Sequence, residues 1–265
     1  MFGIENELFE QLLVLKERFG LEAVKAEFEA EGSSFNDVAR LRRLTEKAGV
    51  ALYLKIGGVE AVRDIKDSVE LGVDGLIAPM VESPFGLAKF LEALSGIYKG
   101  REIRLAINVE TRGAVESLDA ILDLAAGSID GVTIGRTDLS ASYLDDSVVP
   151  DCGFIDGVVE AVARASRRRG LAVTMGGSIS ATTIERFGSQ PELATLLDAM
   201  ETRKVVLPVD SMLRGPGALE EALKLEELYI LSKREISETM IGAELARLEK
   251  LRTRARPRVT AVRGD

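Results

Sequence analysis

Short apolar runs alternate along the chain with amphipathic stretches, which predicts strands that alternate with helices. The clearest unit spans residues 105–140, LAINVETRGAVESLDAILDLAAGSIDGVTIGRTDLS. Residues 105–107 and 132–134 are short and apolar, as buried parallel strands are. The apolar residues between them recur at helical spacing. The segment therefore predicts a β-α-β unit, whose two strands end at the same face of the sheet.

An acid follows each of these two strands, Glu110 in VETR and Asp138 in GRTDLS. Because parallel strands end at one face, the two acids are predicted to converge there. Two converging carboxylates repel each other unless a cation lies between them, and Mg²⁺ or Mn²⁺ suits such oxygen ligands. Acids are also favoured at helix starts and in solvated loops. The spacing alone leaves both interpretations open.

The rest of the chain continues the alternation without a linker or an internal repeat. Residues 4–19 predict an amphipathic helix that Gly20 ends. Further strands are predicted at residues 21–29, 51–58, 73–82, 171–180 and 203–210. This count reaches seven strands. Either an eighth strand is hidden in residues 190–202, or the repeat is irregular. Residues 219–254 predict an unusually long helical stretch that breaks near Ser237 and docks in part on another subunit.

Alternation over 265 residues predicts a (β/α)₈ TIM barrel in the α/β class. We expect a single domain over residues 1–265, with an N-terminal helix in residues 1–20. A C-terminal helical segment with a basic tail is expected in residues 215–265. The alternative is a doubly wound open sheet, but no glycine-rich dinucleotide fingerprint follows the first strand.

Acids and a lysine near other strand ends supply further candidates for a site. Lys25, Glu27 and Glu29 share one face of the first predicted strand, so they either line the barrel's mouth or face solvent. Glu82 follows the third strand at the predicted mouth. Glu27 and Glu82 are candidates for proton transfer, since a buried carboxyl group near another carboxylate has a raised pKa.

The second and sixth predicted strands end in residues that can contact an anion. Lys55 follows an apolar run and can hold a carboxylate or phosphate, or else form a salt bridge with a neighbouring acid. Gly176 and Gly177 end the sixth strand, where a glycine pair permits close approach of a ligand or simply a tight turn. Their backbone N–H groups can contribute to an oxyanion site.

The amino-acid composition excludes some classes of reaction and argues against some classes of partner. The absence of histidine excludes zinc hydrolases and Ser-His-Asp catalysis, which rely on it. A net charge of −9 argues against nucleic acid, and no apolar run approaches the ~20 residues of a membrane span. The single cysteine, Cys152, and an acidic start unlike a signal peptide predict a cytoplasmic protein. The basic residues after position 251 are interpreted as a solvated tail.

Three segments, VDGLIAPMVES, NVETRGAVESLDAIL and IDGVTIGRTDLSAS, resemble the HpcH/HpaI aldolase and citrate lyase β-subunit family. The similarity runs from Lys55 to Ser142, and VETR followed by GRTDLS at this separation is fairly specific. The resemblance implies a barrel that binds Mg²⁺, Mn²⁺ or Co²⁺ and cleaves or forms a C–C bond next to a carbonyl. It also implies that Glu110 and Asp138 are the metal ligands, and that the third and last helices support oligomers.

Two departures from the family pattern stand out. Many members place a histidine near the first strand as part of the base, and this chain has none. Many also place an arginine at the end of the second strand, where this chain has Lys55 in LYLKIGG. Lysine keeps the positive charge but lacks the bidentate fork of a guanidinium.

We therefore predict a divalent-metal-dependent C–C lyase, or the reverse condensation, acting on a 2-oxo acid such as pyruvate or oxaloacetate. Lys55 would anchor the carboxylate, with Lys25, Gly176 and Gly177 as further substrate contacts. Three alternatives stay open: a Schiff-base aldolase using Lys25 or Lys55, a CoA-thioester lyase, and a barrel that binds a ligand or acts as a scaffold without catalysis. The expected partners are a small carboxylate and other copies of the chain.

Overall fold

The computed structural model describes residues 3–214 and 217–255, and its strands close into one eight-stranded barrel. The strands are β1 (Ala23–Glu27), β2 (Ala51–Lys55), β3 (Gly75–Ala78), β4 (Arg104–Val109), β5 (Gly131–Gly135), β6 (Ala172–Gly176), β7 (Ala199–Glu201) and β8 (Val205–Pro208). Neighbours around the barrel follow the order of the sequence. The predicted barrel is confirmed, and β7 is the strand hidden in residues 190–202.

Helices surround the barrel, and capping residues in the local sequence mark where helices such as α2 begin and end. They are α1 (Gly3–Phe19), α2 (Phe35–Ala48), α3 (Val62–Leu71), α4 (Pro84–Tyr98), α5 (Arg112–Glu116), α6 (Leu118–Ala125), α7 (Arg136–Ala141), α8 (Gly153–Arg167), α9 (Ala181–Gly188), α10 (Pro191–Ala194), α11 (Val209–Leu213) and α12 (Gly217–Ala255). Ser34 begins α2 with a capping box to Asp37, and Gly49 ends it at φ 62°. The described helices include none that is long and apolar enough to cross a membrane. The cytoplasmic location stays a prediction.

Strand β8 departs from strict β-α alternation. Strands β1 to β7 pair in parallel, whereas β8 runs antiparallel to both β7 and β1. A parallel return would need a crossover of roughly a dozen residues, and only residues 202–204 separate β7 from β8. The N–H of Thr202 donates to the carbonyl of Val205 at 2.9 Å and closes the hairpin. The hairpin lies at the mouth, the end at which the parallel strands terminate.

Helices α1 and α12 pack against each other in opposite directions. Gln11 donates to the carbonyl of Glu221 at 3.0 Å near one end, and the N–H of Ile4 donates to Glu235 at 3.3 Å near the other. The predicted break near Ser237 is wrong, because α12 continues to Ala255. Ala, Leu, Glu and Arg dominate this stretch and are strong helix formers. The segment 237–254 is exposed throughout and is called the free half of α12 below.

Some of the basic C-terminal residues belong to the part of the chain that the structure describes, and the others do not. Arg252 and Arg254 lie in the last turn of α12 and are exposed. Arg256, Arg258 and Arg263, the rest of the predicted basic tail, lie outside the described residues.

Candidate active site

A polar cavity of about 390 Å³ opens at the mouth of the barrel. Its walls come from the ends of β1, β2, β4 to β7, the β7–β8 hairpin and α12. Two larger depressions, of about 680 and 750 Å³, lie at the opposite end and share Asp74 and Arg104. They contain none of the predicted site residues. Enzymes built on eight-stranded α/β barrels carry their chemistry at the mouth, so the smaller cavity is the candidate site.

Glu110 and Asp138 both line this cavity. Glu110 lies just beyond β4 and is almost fully buried, whereas Asp138, on α7, is exposed at the cavity rim. Burial is the main cause that raises the pKa of Glu110; the charge of Asp138 adds to it, while Lys55 and two hydrogen bonds oppose it. The two acids that the sequence placed at one face are therefore close enough to repel each other.

Two backbone features fit Glu110 into its place. Met80 holds a left-handed conformation at φ 52°, and its N–H donates to Oε1 of Glu110 at 2.9 Å. A Cβ atom added at Gly135 would lie 2.7 Å from Oε2 of Glu110, which is closer than van der Waals contact allows. Gly135 is therefore required by the close approach of the glutamate, a role that the sequence analysis missed.

Asn108 is a second residue that the sequence analysis missed. Its Nδ2 donates to Oε2 of Glu110 at 2.8 Å, and its Oδ1 is buried without a hydrogen-bond partner among the described residues. A buried acceptor without a partner is costly, so this oxygen is available to a donor or a cation. Asn108 lies two residues before Glu110, and this spacing puts both on one face of the strand.

Lys55 bridges two acids at the end of β2. Its Nζ lies 3.0 Å from Oε2 of Glu29 and 3.6 Å from Oε2 of Glu110. Burial would lower the pKa of Lys55, but Glu110 and Glu29 outweigh it and raise that pKa. Of the two interpretations of Lys55, the salt bridge is present, and the ammonium also lines the cavity.

Lys25 bridges a second pair of acids deeper in the cavity. Its Nζ lies 2.5 Å from Oε1 of Glu201 and 3.3 Å from Oε1 of Glu27. Burial would lower the pKa of Lys25, but the two carboxylates outweigh it and raise that pKa. Glu201 was not among the predicted site residues, because its strand β7 was not resolved in the sequence.

The glycine pair at the end of β6 accommodates the protein's own atoms. A Cβ atom at Gly176 would lie 2.7 Å from Cγ of Glu201, and one at Gly177 would lie 2.5 Å from the backbone nitrogen of Thr137. Gly177 has φ +85° and lines the cavity, whereas Gly176 does not belong to its lining. Of the two predicted glycine contacts, the structure brings Gly177 to the cavity.

The two predicted proton-transfer acids lie in different places. Glu27 is buried in the cavity wall, with Lys25 on one side and Arg203 at 3.3 Å on the other. Glu82 is exposed, lies near Gly113 and is absent from the cavity lining. The prediction that Glu82 reaches the site is therefore corrected: β3 ends at Ala78, and the chain turns away before Glu82.

Arg136 is fully buried next to the site and was also missed. Its guanidinium donates to Oδ1 of Asp151 at 2.8 Å, to the carbonyl of Gly177 at 2.8 Å and to that of Pro150 at 3.1 Å. It therefore fastens the loop before α8 to the turn after β6. Burial lowers the pKa of Arg136, although Asp151 opposes the shift.

The oxygen atoms around Glu110 fit a hard divalent ion. Glu110 and Asp138 supply two carboxylates, and Asn108 supplies the neutral oxygen that lacks a partner. Among the described residues there is no group of three or more His, Cys, Asp or Glu side chains suited to a metal ion. Two carboxylates and one amide oxygen are the kind of ligand set that Mg²⁺ takes, because this ion keeps several waters and uses one or two carboxylates.

Many unrelated enzymes are built on an eight-stranded barrel, so acids and an ion-paired lysine at its mouth do not define one family. Comparison with known families does. The model of the HpcH/HpaI aldolase/citrate lyase family matches residues 36–178. The chain belongs to this family.

Individual relatives resemble this chain either over a short segment or in fold at low sequence identity. A 2-keto-3-deoxy-L-rhamnonate aldolase of Klebsiella pneumoniae is 48% identical over 73 residues, which cover 27% of this chain and 26% of that protein. An HpcH/HpaI aldolase from Desulfitobacterium hafniense has a TM-score of 0.59 at 18% identity, over 73% of this chain and 81% of the other. An HpcH/HpaI aldolase/citrate lyase family protein from Burkholderia cenocepacia has a TM-score of 0.58 at 16% identity, over 82% and 89%. These two structures support the fold alone.

Proposed function

We propose that this protein is a divalent-metal-dependent C–C lyase, or catalyses the reverse condensation, with a 2-oxo acid as one substrate. The observation that carries the proposal is the juxtaposition of Glu110, Asp138 and Lys55 in one cavity at the mouth. Two acids and a cation can together hold a metal ion and a carboxylate. Family membership and the short match to an aldolase support the same reaction class.

In the proposed cleavage, a proton leaves the hydroxyl on C4 of a 4-hydroxy-2-oxo acid and the C3–C4 bond breaks. The aldehyde departs, and the electron pair of the broken bond forms the enolate of the shorter 2-oxo acid, whose C3 then takes up a proton. Glu110 and Asp138 would hold the ion, with the Oδ1 of Asn108 beside them. When bound, the ion supplies Lewis acidity that favours negative charge on the ketone oxygen.

The chain's own cations and acids take the remaining roles. Lys55 would bind the carboxylate of the 2-oxo acid, exchanging part of its contact with Glu29 for a charge-assisted hydrogen bond. Glu27 is the proposed proton-transfer residue, because it is the predicted acid that lines the cavity.

The alternative Schiff-base reaction is disfavoured by the state of both lysines. A nucleophilic lysine must be a neutral amine, and its pKa is usually lowered for that purpose. Lys25 and Lys55 each lie between two carboxylates that raise the pKa. We therefore propose that both lysines stay charged.

The test is hydrogen exchange at C3 of pyruvate in D₂O, followed by proton NMR with Mg²⁺ or Mn²⁺. Exchange reports enolate formation without any knowledge of the aldehyde. We expect metal-dependent exchange that falls by at least about a hundredfold in Glu110→Gln and in Asp138→Asn, because each variant removes an anionic ligand. Glu116→Gln, an exposed surface change on α5, is the matched control.

Calorimetric titration with Mg²⁺ gives a second readout for the same variants. Metal binding should weaken in Glu110→Gln and Asp138→Asn and be unchanged in Glu116→Gln. Exchange that persists without metal, or an unaltered rate in both site variants, would contradict the proposal.

We further propose that the protein forms a homo-oligomer through the free half of α12. Five large apolar side chains on it are exposed by 40% to 64%: Met240, Ile241, Leu245, Leu248 and Leu251. They are spaced so that they share one face of the helix. A second copy of the chain is the proposed cover, as the family resemblance implies.

A further inference from the structure

We infer that the aldehyde partner of the proposed reaction is uncharged and carries hydroxyl groups, and that the charge pattern of the cavity selects it. The inference rests on the proposed function. Negative charges outnumber positive charges in the cavity, because its described lining contains six carboxylates and three cations, Lys25, Lys55 and Arg203. One divalent ion does not neutralise an excess of three negative charges.

Each of the three cations is also already held by two carboxylates. Lys25 lies between Glu201 and Glu27, and Lys55 lies between Glu29 and Glu110. Arg203 has Nη1 at 3.3 Å from Oε2 of Glu27, and Nε at 4.0 Å from Oε1 of Glu226. A bound anion must therefore compete with a resident carboxylate for any of these cations.

The cavity divides into two ends with different demands. The end with Glu110, Asp138 and Lys55 is the one that the 2-oxo acid occupies in the proposed reaction. The other end is formed by the β7–β8 hairpin and α12, where two cations, Lys25 and Arg203, face three carboxylates, those of Glu27, Glu201 and Glu226. A carboxylate or phosphate on the aldehyde would enter this end against unbalanced negative charge, which like-charge repulsion disfavours.

Hydrogen-bonding capacity points in the same direction. Carboxylates only accept hydrogen bonds, and Glu27, Glu201 and Glu226 at this end of the cavity are all carboxylates. The hydroxyls of Thr137 and Ser178 at the cavity wall are 2.9 Å apart and bond to each other. Hydroxyl groups on a ligand supply donors to the surplus acceptors without adding charge.

Glu226 is a single residue whose substitution changes the charge at this end of the cavity. It belongs to α12 rather than to the strands, and it is half-buried at the cavity's edge. Neutralising it should favour an anionic aldehyde relative to a neutral one, because one negative charge is removed from the end of the cavity that the aldehyde enters.

The experiment compares condensation of pyruvate with glyceraldehyde and with glyceraldehyde 3-phosphate, which differ by one phosphoryl group. Succinic semialdehyde serves as a carboxylate-bearing aldehyde. We expect kcat/KM for glyceraldehyde to exceed that for either anion by at least about tenfold at low salt. Glu226→Gln should shift the ratio toward the anions by about fivefold or more, and Glu227→Gln, an exposed change on the same helix, should not shift it.

Pyruvate exchange in D₂O, measured on the same samples, separates the two proposals. If exchange proceeds but the anionic aldehydes react as well as or better than glyceraldehyde, the inference is overturned while the proposed function stands. The same holds if none of the aldehydes reacts while exchange proceeds, or if Glu226→Gln and Glu227→Gln shift the ratio equally. Absence of exchange would overturn the proposed function, and the inference would fall with it.

Discussion

At the scale of single residues, three buried lysines form ion pairs near the mouth of the barrel. Lys25 and Lys55 each lie between two acids, and Nζ of Lys204 lies 2.5 Å from Oε2 of Glu31 and above the ring of Tyr229. An ion pair removed from water pays a large desolvation cost, which its partners offset only while both are present. The mouth should therefore respond strongly when one partner is removed.

The substitution Lys25→Met tests this dependence. It leaves Glu27 and Glu201 buried near each other without their common cation, so we expect a loss of about 3–5 kcal/mol in the free energy of unfolding. Urea unfolding followed by circular dichroism measures it. Lys25→Met combined with Glu201→Gln should recover part of the loss, and Lys224→Met on the exposed side of α12 should change little. Equal stability of Lys25→Met and wild type would contradict the account.

The sequence predicted several residues of the cavity, because the carboxyl ends of parallel strands in a barrel share one face. Glu110 and Asp138 follow from that rule without any knowledge of their contacts. Arg136 does not, since its partners Asp151 and Thr183 are 15 and 47 residues away and become neighbours only when the turns fold. Burial of a whole guanidinium is set by long-range packing, which the periodicity of one strand does not encode.

At the scale of elements, Arg136 joins three pieces of chain that local sequence does not hold together. The guanidinium contacts the loop before α8, the turn after β6 and Thr183 on α9. Asp151 accepts hydrogen bonds from Arg136 at 2.8 Å and from the Thr183 hydroxyl at 2.9 Å. This cluster fixes Gly177, and with it one wall of the cavity.

Acid should weaken this cluster through Asp151. Burial would raise its pKa, but hydrogen bonds and Arg136 outweigh burial and lower it from the ordinary 3.8. A lowered folded-state pKa contributes stability that is present above about pH 3.8 and is lost as the pH falls through the folded-state value. The free-energy difference between wild type and Asp151→Asn should thus be constant near neutrality and shrink at lower pH.

Urea unfolding at several pH values between about 7 and 3 measures this difference. Asp146→Asn, an exposed change in the same loop, is the control and should match wild type throughout. A gap between wild type and Asp151→Asn that widens in acid would contradict the assignment.

At the scale of the whole molecule, the sequence predicted the architecture and missed one strand direction. Alternation of periodicity predicted seven strands with helices between them and a segment in which an eighth could be hidden, and length selected the barrel. The antiparallel course of β8 is encoded only in the shortness of residues 202–204, because an apolar run such as Val205–Pro208 is the same in either direction. The prediction of a break in α12 was wrong for a related reason. A helix can continue into solvent beyond the part of it that packs against the rest of the molecule.

The free half of α12 yields the prediction for the assembly. Leu245→Glu combined with Leu248→Glu places two charges on the apolar face, so we expect dissociation to a smaller species by at least about tenfold in the association constant. Sedimentation velocity measures the change. Thr239→Glu combined with Thr253→Glu adds the same charge to the opposite face and should leave the assembly intact. Identical sedimentation of both double variants, or a monomeric parent, would contradict the proposed interface.

The antiparallel packing of α1 on α12 also sets the order of events during synthesis. The buried leucines of α1, Leu8, Leu12 and Leu15, belong to a helix that is synthesised before any strand of the barrel. Their partner helix is translated more than 200 residues later, and β8, which closes the barrel against β1, also comes late. At roughly 5–20 residues per second, α1 waits some ten seconds or more before α12 is available to cover its apolar face. Chaperone capture of the nascent chain should therefore persist until α12 leaves the exit tunnel.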